Sequence, residues 1–249
     1  MRSACIAGLG LIGGSIGIAL RARGWYVRYR DPHVSLEDAR RLAAADAAAD
    51  DVEGDCDVLV LAQPVDVAIR DLQRMHAASG IVTSVASVMQ PLRDVARVPF
   101  VAGHPMAGSH ESGLRAARGD LFAGKRWFVD DEHPFVEELV RDCGGVLTRV
   151  DAREHDAGVA LTSHLPQVLS TALAAYLADR DVLRFAGSGL ATFLRLAGSD
   201  ASVWAPVLEA NRENLAPHAE KLAELVREII EGDPREAFEK AQKVARALS

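Results

Sequence analysis

The feature that most constrains this chain is a glycine turn set between a strand and a helix near its start. Cys5-Ile6-Ala7 reads as a short buried strand, Gly8-Leu9-Gly10-Leu11-Ile12-Gly13-Gly14-Ser15 follows, and a helical stretch runs from Ser15 to about Arg23, stopping at Gly24. Alone, a Gly-x-Gly-x-x-Gly pattern says little. Between a strand and a helix it marks a βαβ unit that holds a pyrophosphate. Gly8 permits the tight turn and Gly10 lets the backbone approach the ligand. Leu11, Ile12 and Gly13 belong to the same turn, ahead of a helix N-terminus where free N–H groups and the helix dipole favour an anion. Asp31 ends the next strand, Trp25 to Arg30, and stands where a carboxylate binds the ribose hydroxyls of a dinucleotide. Gln63 and Pro64, just past the apolar run Val58 to Ala62, complete the candidate cofactor set. Asp31 repels a 2′-phosphate, which favours NAD. Arg28 and Arg30 keep NADP as the alternative.

The rest of the chain extends this unit. Val58 to Ala62 and Gly80 to Val85 are continuous apolar runs, as expected of strands covered on both faces, and Phe100 to Ala102 and Trp127 to Val129 are shorter ones. Ser35 caps a helix between two of them, and the alanine-rich Leu42 to Ala49 reads as helix. Strands alternating with helices predict an α/β fold with a Rossmann-type doubly wound sheet. The pattern changes near Val150. Asp151-Ala152-Arg153-Glu154 has the form of a capping box, and no strand is legible after it. Leu222, Leu225, Val226, Ile229 and Ile230 recur at helical spacing until Gly232-Asp233-Pro234 breaks the helix. The expected organisation is a dinucleotide-binding domain over 1–150 and an all-helical C-terminal domain over 151–249.

A net charge of −7 argues against a nucleic-acid partner, which calls for a basic footprint. Cys5, Cys56 and Cys143 are far apart and form no CxxC pair, so neither a disulfide framework nor a metal site is expected, in keeping with a reducing cytoplasm. Five glycines interrupt the apolar stretch from Ala4 to Leu20, which is too short for a membrane span and lacks a cleavage site, so neither targeting nor a membrane partner is expected. The chain ends at Ser249, soon after the helical region, and no appended regulatory module is expected.

The second informative stretch is Gly103-His104-Pro105-Met106-Ala107-Gly108-Ser109. A histidine pinned between glycine and proline, downstream of a nucleotide turn, suggests a base beside a nicotinamide, since a neutral imidazole near its ordinary pKa of about 6.5 accepts a proton at neutral pH. With Ser87-Val88, Ser112-Gly113, His155-Asp156, Ser163-His164-Leu165-Pro166, Arg195, Ser199-Asp200, Trp204 and Asn211 in order behind the glycine turn, nearly the whole chain resembles the prephenate and arogenate dehydrogenases of tyrosine biosynthesis. The resemblance implies an NAD-dependent oxidative decarboxylation of prephenate to 4-hydroxyphenylpyruvate. Hydride leaves ring C4, its hydroxyl proton departs, and CO2 is lost from C1. It makes His104 the base and Ser87 its support. Arg195 becomes the clamp on a substrate carboxylate, with Ser163, His164, Gln167 and His110 beside the substrate, and the helical domain pairs two copies. Pro166 is expected to kink a helix, with Ser163 and Gln167 four apart on one face.

Departures bear on the substrate. Gln167 replaces a common histidine, Met89 a lysine, Ser84 an aspartate, and His110, followed by Glu111, stands where a glutamate is common. Neutral Gln167 favours the keto group of prephenate; an inward Glu111 would favour the ammonium of arogenate. A 3-hydroxyacid dehydrogenase, the second enzymatic reading, needs a lysine beside an asparagine in the helical domain, and Lys221, Lys240 and Lys243 lie in a charged pattern instead. A non-catalytic NAD sensor has no use for both His104 and Arg195.

Overall fold

The computed structural model describes residues 1–50, 55–108 and 111–248. Six strands form one parallel sheet: β1 (Ser3–Ala7), β2 (Tyr26–Arg30), β3 (Ala47–Ala48), β4 (Val58–Leu61), β5 (Ile81–Ser84) and β6 (Phe100–Val101). Their spatial order is β3-β2-β1-β4-β5-β6, so the chain reverses direction of travel between β1 and β4. Ligands of such sheets bind outside the carboxyl ends of the strands at that switch. Four helices cross between these strands: α1 (Leu11–Ala22), α2 (Leu36–Arg41), α3 (Val65–Arg74) and α4 (Gln90–Val95). Ser35 caps α2 by accepting from the Asp38 amide. The apolar strand residues feed two cores, one on each face. Ile6, Val27, Val58 and Val60 pack on the α1 side, and Leu59, Leu61, Val82 and Phe100 on the α3 and α4 side.

A second sheet follows, with β7 (Gly103–Pro105) antiparallel to β8 (Arg126–Val129) and β8 parallel to β9 (Val146–Arg149), and α5 (Pro134–Asp142) between β8 and β9. Neither β7 nor β9 was legible: Pro105 and Gly103 argue against a strand, and Val146-Leu147-Thr148-Arg149 is too short and too exposed to give an apolar run. The expected helix over Leu42–Ala49 is a turn running into the edge strand β3. Ala43 there takes a left-handed φ of 56°, and the Asp46 carboxylate accepts from the Val27 amide, which draws the segment to the sheet edge.

From Ala152 every described regular element is helical: α6 (Ala152–Val159), α7 (Leu165–Leu177), α8 (Ser188–Phe193), α9 (Ala201–Ala210), α10 (Arg212–Glu231) and α11 (Arg235–Leu248). Asp151 caps α6 through the amides of Arg153 and Glu154. Pro166 lies inside a helical run that continues from α6 to α7. A π turn over Ala160–His164 runs into α7, Pro166 falls in the first turn of α7, and the Leu165 amide reaches back to the Ala160 carbonyl. The buried apolar cluster between these helices is small: Ala160, Leu165 and Leu215. Phe185, Phe193, Ile230, Phe238 and Val244 are exposed. No described helix is long and apolar enough to cross a membrane.

Candidate active site

The nucleotide end is built at the carboxyl ends of β1, β2 and β4. Gly8 has φ +91°, and a Cβ there would stand 2.8 Å from the Ala62 backbone, so the turn closes on β4 only with glycine. A Cβ at Gly10, by contrast, would meet nothing within 4 Å, so the backbone is open to a ligand. Helix α1, which contains Leu11, Ile12 and Gly13, has no side-chain cap and no acidic residue in its first turn. Its free amides therefore remain available to an anion. Asp31 accepts from the Leu9 amide at 2.8 Å and from the His33 amide at 2.9 Å, tying the glycine turn to the end of β2. Leu9, Gly10, Asp31, His33 and Arg115 line a cleft of about 370 Å³. These features fit the adenosine and pyrophosphate portions of a dinucleotide. Pro64 occupies the N-cap position of α3, and Gln63 donates to Asp71 at 2.8 Å while its buried Oε1 has no partner among the described residues.

The expected NADP determinants are not at this cleft. Arg28 donates to the Asp55 carbonyl and Arg30 pairs with Asp71 at 2.6 Å. Arg41 and Arg115 line the cleft instead. Substituting Asp31 by serine is expected to weaken NAD about tenfold and narrow the gap to NADP, because it removes both a ribose acceptor and the repulsion of a 2′-phosphate. Kd values for both cofactors, from nucleotide fluorescence titration, check this. A wild-type preference for NADP would shift the determinant to Arg41 and Arg115.

The reactive end lies where the second sheet meets the helical region. A Cβ at Gly103 would sit 2.7 Å from the Ser84 carbonyl oxygen, so glycine lets β7 lie against β5. The Asp130 carboxylate, paired with Arg93 at 2.5 Å, accepts from the Ala102 amide and fixes the chain just before β7. His104 is therefore a strand residue on a braced backbone, 9% exposed. Its Nδ1 lies 2.9 Å from His155 Nε2. His155 Nδ1 lies 2.8 Å from Asp156 Oδ1, and Asp156 accepts from the Met89 and Gln90 amides at 2.8 and 2.9 Å. Burial, followed by repulsion from His155 and His164, drives His104 down to about 3. The expectation of an ordinary imidazole near 6.5 is thus corrected: the enclosure that positions the ring disfavours its charged form.

His164 is wholly buried in the π turn. The Asn211 side-chain amide donates to its Nδ1 at 3.0 Å, and Trp204 packs edge-on at 5.9 Å between centroids. Its Nε2 has no hydrogen-bond partner among the described residues, although the neighbouring Ser87 backbone and the Asp156 charge favour the protonated ring. Burial outweighs that and holds His164 at about 4. Ser87 is half-buried in the loop between β5 and α4, and Ser163 is half-buried beside His164. Gln167 has other work than the substrate contact expected of it. It donates to Thr171 and to the Leu196 carbonyl and accepts from Ser199. With Ser170, which donates to the Phe193 carbonyl, it pins the 3₁₀ turn Leu194–Gly198 onto α7. Arg195 sits exposed on that turn, without an ion pair among the described residues. His110 lies outside the described residues. Sequence reasoning quoted His155, Asp156 and Asn211 without assigning them a role. Their signal was an adjacent His-Asp pair just inside a capped helix.

A family model for the prephenate dehydrogenase nucleotide-binding domain matches residues 16–153, and one for the prephenate dehydrogenase dimerization domain matches 151–243. The chain belongs to the prephenate dehydrogenase family. Its relatives include a probable prephenate dehydrogenase of Streptomyces niveus, 35% identical over 94% of this chain and 71% of the relative. A cyclohexadienyl dehydrogenase of Zymomonas mobilis is 28% identical over 85% of this chain and 82% of its own length. The crystal structure of prephenate dehydrogenase from A. aeolicus, in complex with hydroxyphenyl propionate and NAD+, superimposes with a TM-score of 0.84 at 25% identity, covering 100% of this chain and 96% of that one. Within this dehydrogenase family, the competing 3-hydroxyacid reading finds no lysine to use: Lys221, Lys240 and Lys243 are exposed.

Two buried neutral histidines make stability depend on pH. An unfolded histidine takes up its proton near pH 6.5, whereas folded His104 and His164 do so only near 3 and 4. The unfolded state therefore binds more protons as pH falls below 6.5, and the folded state loses stability from there down to about 4. Each histidine contributes a slope of up to about 1.4 kcal/mol per pH unit. Thermal melts between pH 7.5 and 4.5 should show this fall, and His104→Gln should flatten it.

Proposed function

We propose that this chain is an NAD-dependent prephenate dehydrogenase, with residues 1–150 holding the cofactor and 151–249 completing the substrate site. The observation that carries the reading is a buried, braced His104 whose Nδ1 is engaged within the protein, leaving Nε2 for a substrate hydroxyl. Gly8, Gly10, the first amides of α1 and Asp31 would hold the dinucleotide. When bound, the dinucleotide would supply the acceptor for the hydride leaving ring C4. His104 Nε2 takes the C4 hydroxyl proton as that carbon is oxidised. The C1–carboxylate bond then breaks, its electron pair enters the ring, and His104 returns the proton to the ring oxygen. Aromatisation supplies the driving force, so the residues chiefly position and hold the proton. Arg195 would clamp a substrate carboxylate, with Ser87, Ser163 and His164 around the ring.

The same reading makes the protein a homodimer through its helical region. The exposed Phe185, Phe193, Ile230, Phe238 and Val244 and the small internal cluster support it, as does the dimerization-domain match. A cytoplasmic location agrees with three buried free cysteines. Reduced-nucleotide formation with prephenate, and separately with arogenate, tests the substrate. Turnover confined to arogenate would replace the reading with arogenate dehydrogenase. Light scattering across a dilution series tests the dimer.

A further inference from the structure

We infer that His155 and Asp156 are positioning residues that act on the reaction through His104, by fixing which of its nitrogens carries the proton. The inference rests on His104 being the base proposed above, and it follows from hydrogen-bond logic. The two Asp156 oxygens accept from the Met89 and Gln90 amides, which anchors the carboxylate as an acceptor at the start of α4. His155 Nδ1, 2.8 Å away, must then donate to it. A neutral His155 has only Nε2 left as an acceptor, and that atom faces His104 Nδ1 at 2.9 Å. His104 Nδ1 therefore carries the hydrogen, and Nε2 is its lone-pair nitrogen. The other tautomer would set two lone pairs against each other in a buried site.

The geometry has a second consequence. When His104 takes the substrate proton it becomes an imidazolium, and the Asp156 carboxylate lies one imidazole away to stabilise that charge. This matters because the site otherwise opposes it. His104 is enclosed, and the titratable groups facing it are His155 from α6 and His164 from the π turn. Phe128, the cross-strand neighbour of His104, packs edge-on against His155 and offers no charge of its own, though the Arg126 guanidinium lies over its ring. Asp156 is the anion in this array. It also joins the two halves of the site, since α6 follows the second sheet while Met89 and Gln90 lie at the end of the loop carrying Ser87. Its backbone carbonyl in turn accepts from Asn211, the residue that orients His164.

The test uses the apo protein first. Imidazole ¹⁵N spectra of histidine-labelled wild type at neutral pH should show His104 protonated at Nδ1 with a pyridine-like Nε2, and His155 likewise protonated at Nδ1. Assignment comes from His104→Gln and His155→Leu. His155→Leu removes the acceptor and should give a mixture of His104 tautomers. It should lower kcat on the order of 10- to 100-fold, with cofactor Kd and substrate KM within about threefold. His155→Gln places a carbonyl oxygen where Nε2 stood, and should recover the Nδ1–H tautomer and part of the lost kcat. A wild-type His104 protonated at Nε2, or equal kcat losses in the Leu and Gln variants, would overturn the inference. The wild-type His104 signals, assigned through His104→Gln, decide the tautomer even if neither His155 variant folds. A locked tautomer in an enzyme that turns over neither prephenate nor arogenate would sink the substrate reading and leave the tautomer assignment standing.

Discussion

Replacing His104 by alanine is expected to lower kcat by about 10²–10⁴ while NAD affinity stays within a few-fold of wild type, the range for loss of a positioned general base. The proposed cofactor residues lie at the carboxyl ends of β1, β2 and β4, whereas His104 lies on the second sheet, so binding and chemistry should separate cleanly. Ser87→Ala should cost less, because in the proposed site Ser87 stands beside the ring and is not the proton acceptor. The pH profile adds a sharper check. Burial holds free-enzyme His104 down to about 3, so its acid limb in kcat/KM should lie well below pH 6.5. A bound substrate brings two carboxylates, which favour the imidazolium, so the limb in kcat should sit at higher pH than the limb in kcat/KM. Steady-state rates with prephenate from pH 5 to 9 check this: an acid limb in kcat/KM near pH 6.5 would contradict it. An alanine variant that keeps most of its turnover at neutral pH would remove His104 from the mechanism.

What was legible in the sequence follows from how local each signal is. The glycine turn, the strand before it and Asp31 are determined within one βαβ unit. Their geometry is nearly forced by residue type: Gly8 needs a positive φ, and Asp31 ends the next strand. Strands covered on both faces, such as Val58–Leu61, announce themselves as apolar runs. The strand carrying His104 did not, because its pairing with β8 is set by tertiary contact and not by its Gly-His-Pro residues. Leu42–Ala49 misled for the opposite reason. Alanine favours helix when nothing else decides, yet Asp46 bonding to Val27 decided here. Arg30 looked like a cofactor ligand because proximity in sequence places it near Asp31, but successive residues of a strand face opposite sides of a sheet. Arg30 meets Asp71. The His104–His155–Asp156 array spans two elements separated by the whole second sheet, and periodicity could not have assembled it.

Arg195→Lys is expected to impair the enzyme nearly as much as Arg195→Ala, by about 10- to 100-fold in kcat/KM for prephenate. The reason is geometric. A guanidinium meets a carboxylate with two parallel N–H donors in a fixed plane, whereas an ammonium offers a point charge with no plane to impose. The backbone under Arg195 is fixed. Gln167 and Ser170 pin its 3₁₀ turn to α7 through the Leu196 and Phe193 carbonyls, and Ser170 also accepts from the Ala197 amide. The side chain itself is exposed and has no ion pair among the described residues, so its charge is not already spent inside the protein. That exposure also bounds the effect. A charge-assisted hydrogen bond contributes about 1.5–3 kcal/mol, the source of the 10- to 100-fold range, and solvent at the rim keeps it from exceeding that. The loss should fall on KM if the contact is equal in ground and transition states. It should extend to kcat if the clamped carboxylate is the one that departs as CO2, because its C–C bond must then be held in line with the ring π system. Gln167→Leu is the companion variant. It frees the turn without touching the charge, and should move KM in the same direction by a smaller factor. Wild-type kcat/KM in Arg195→Lys would mean that the residue supplies diffuse positive charge only, and that another group holds the substrate.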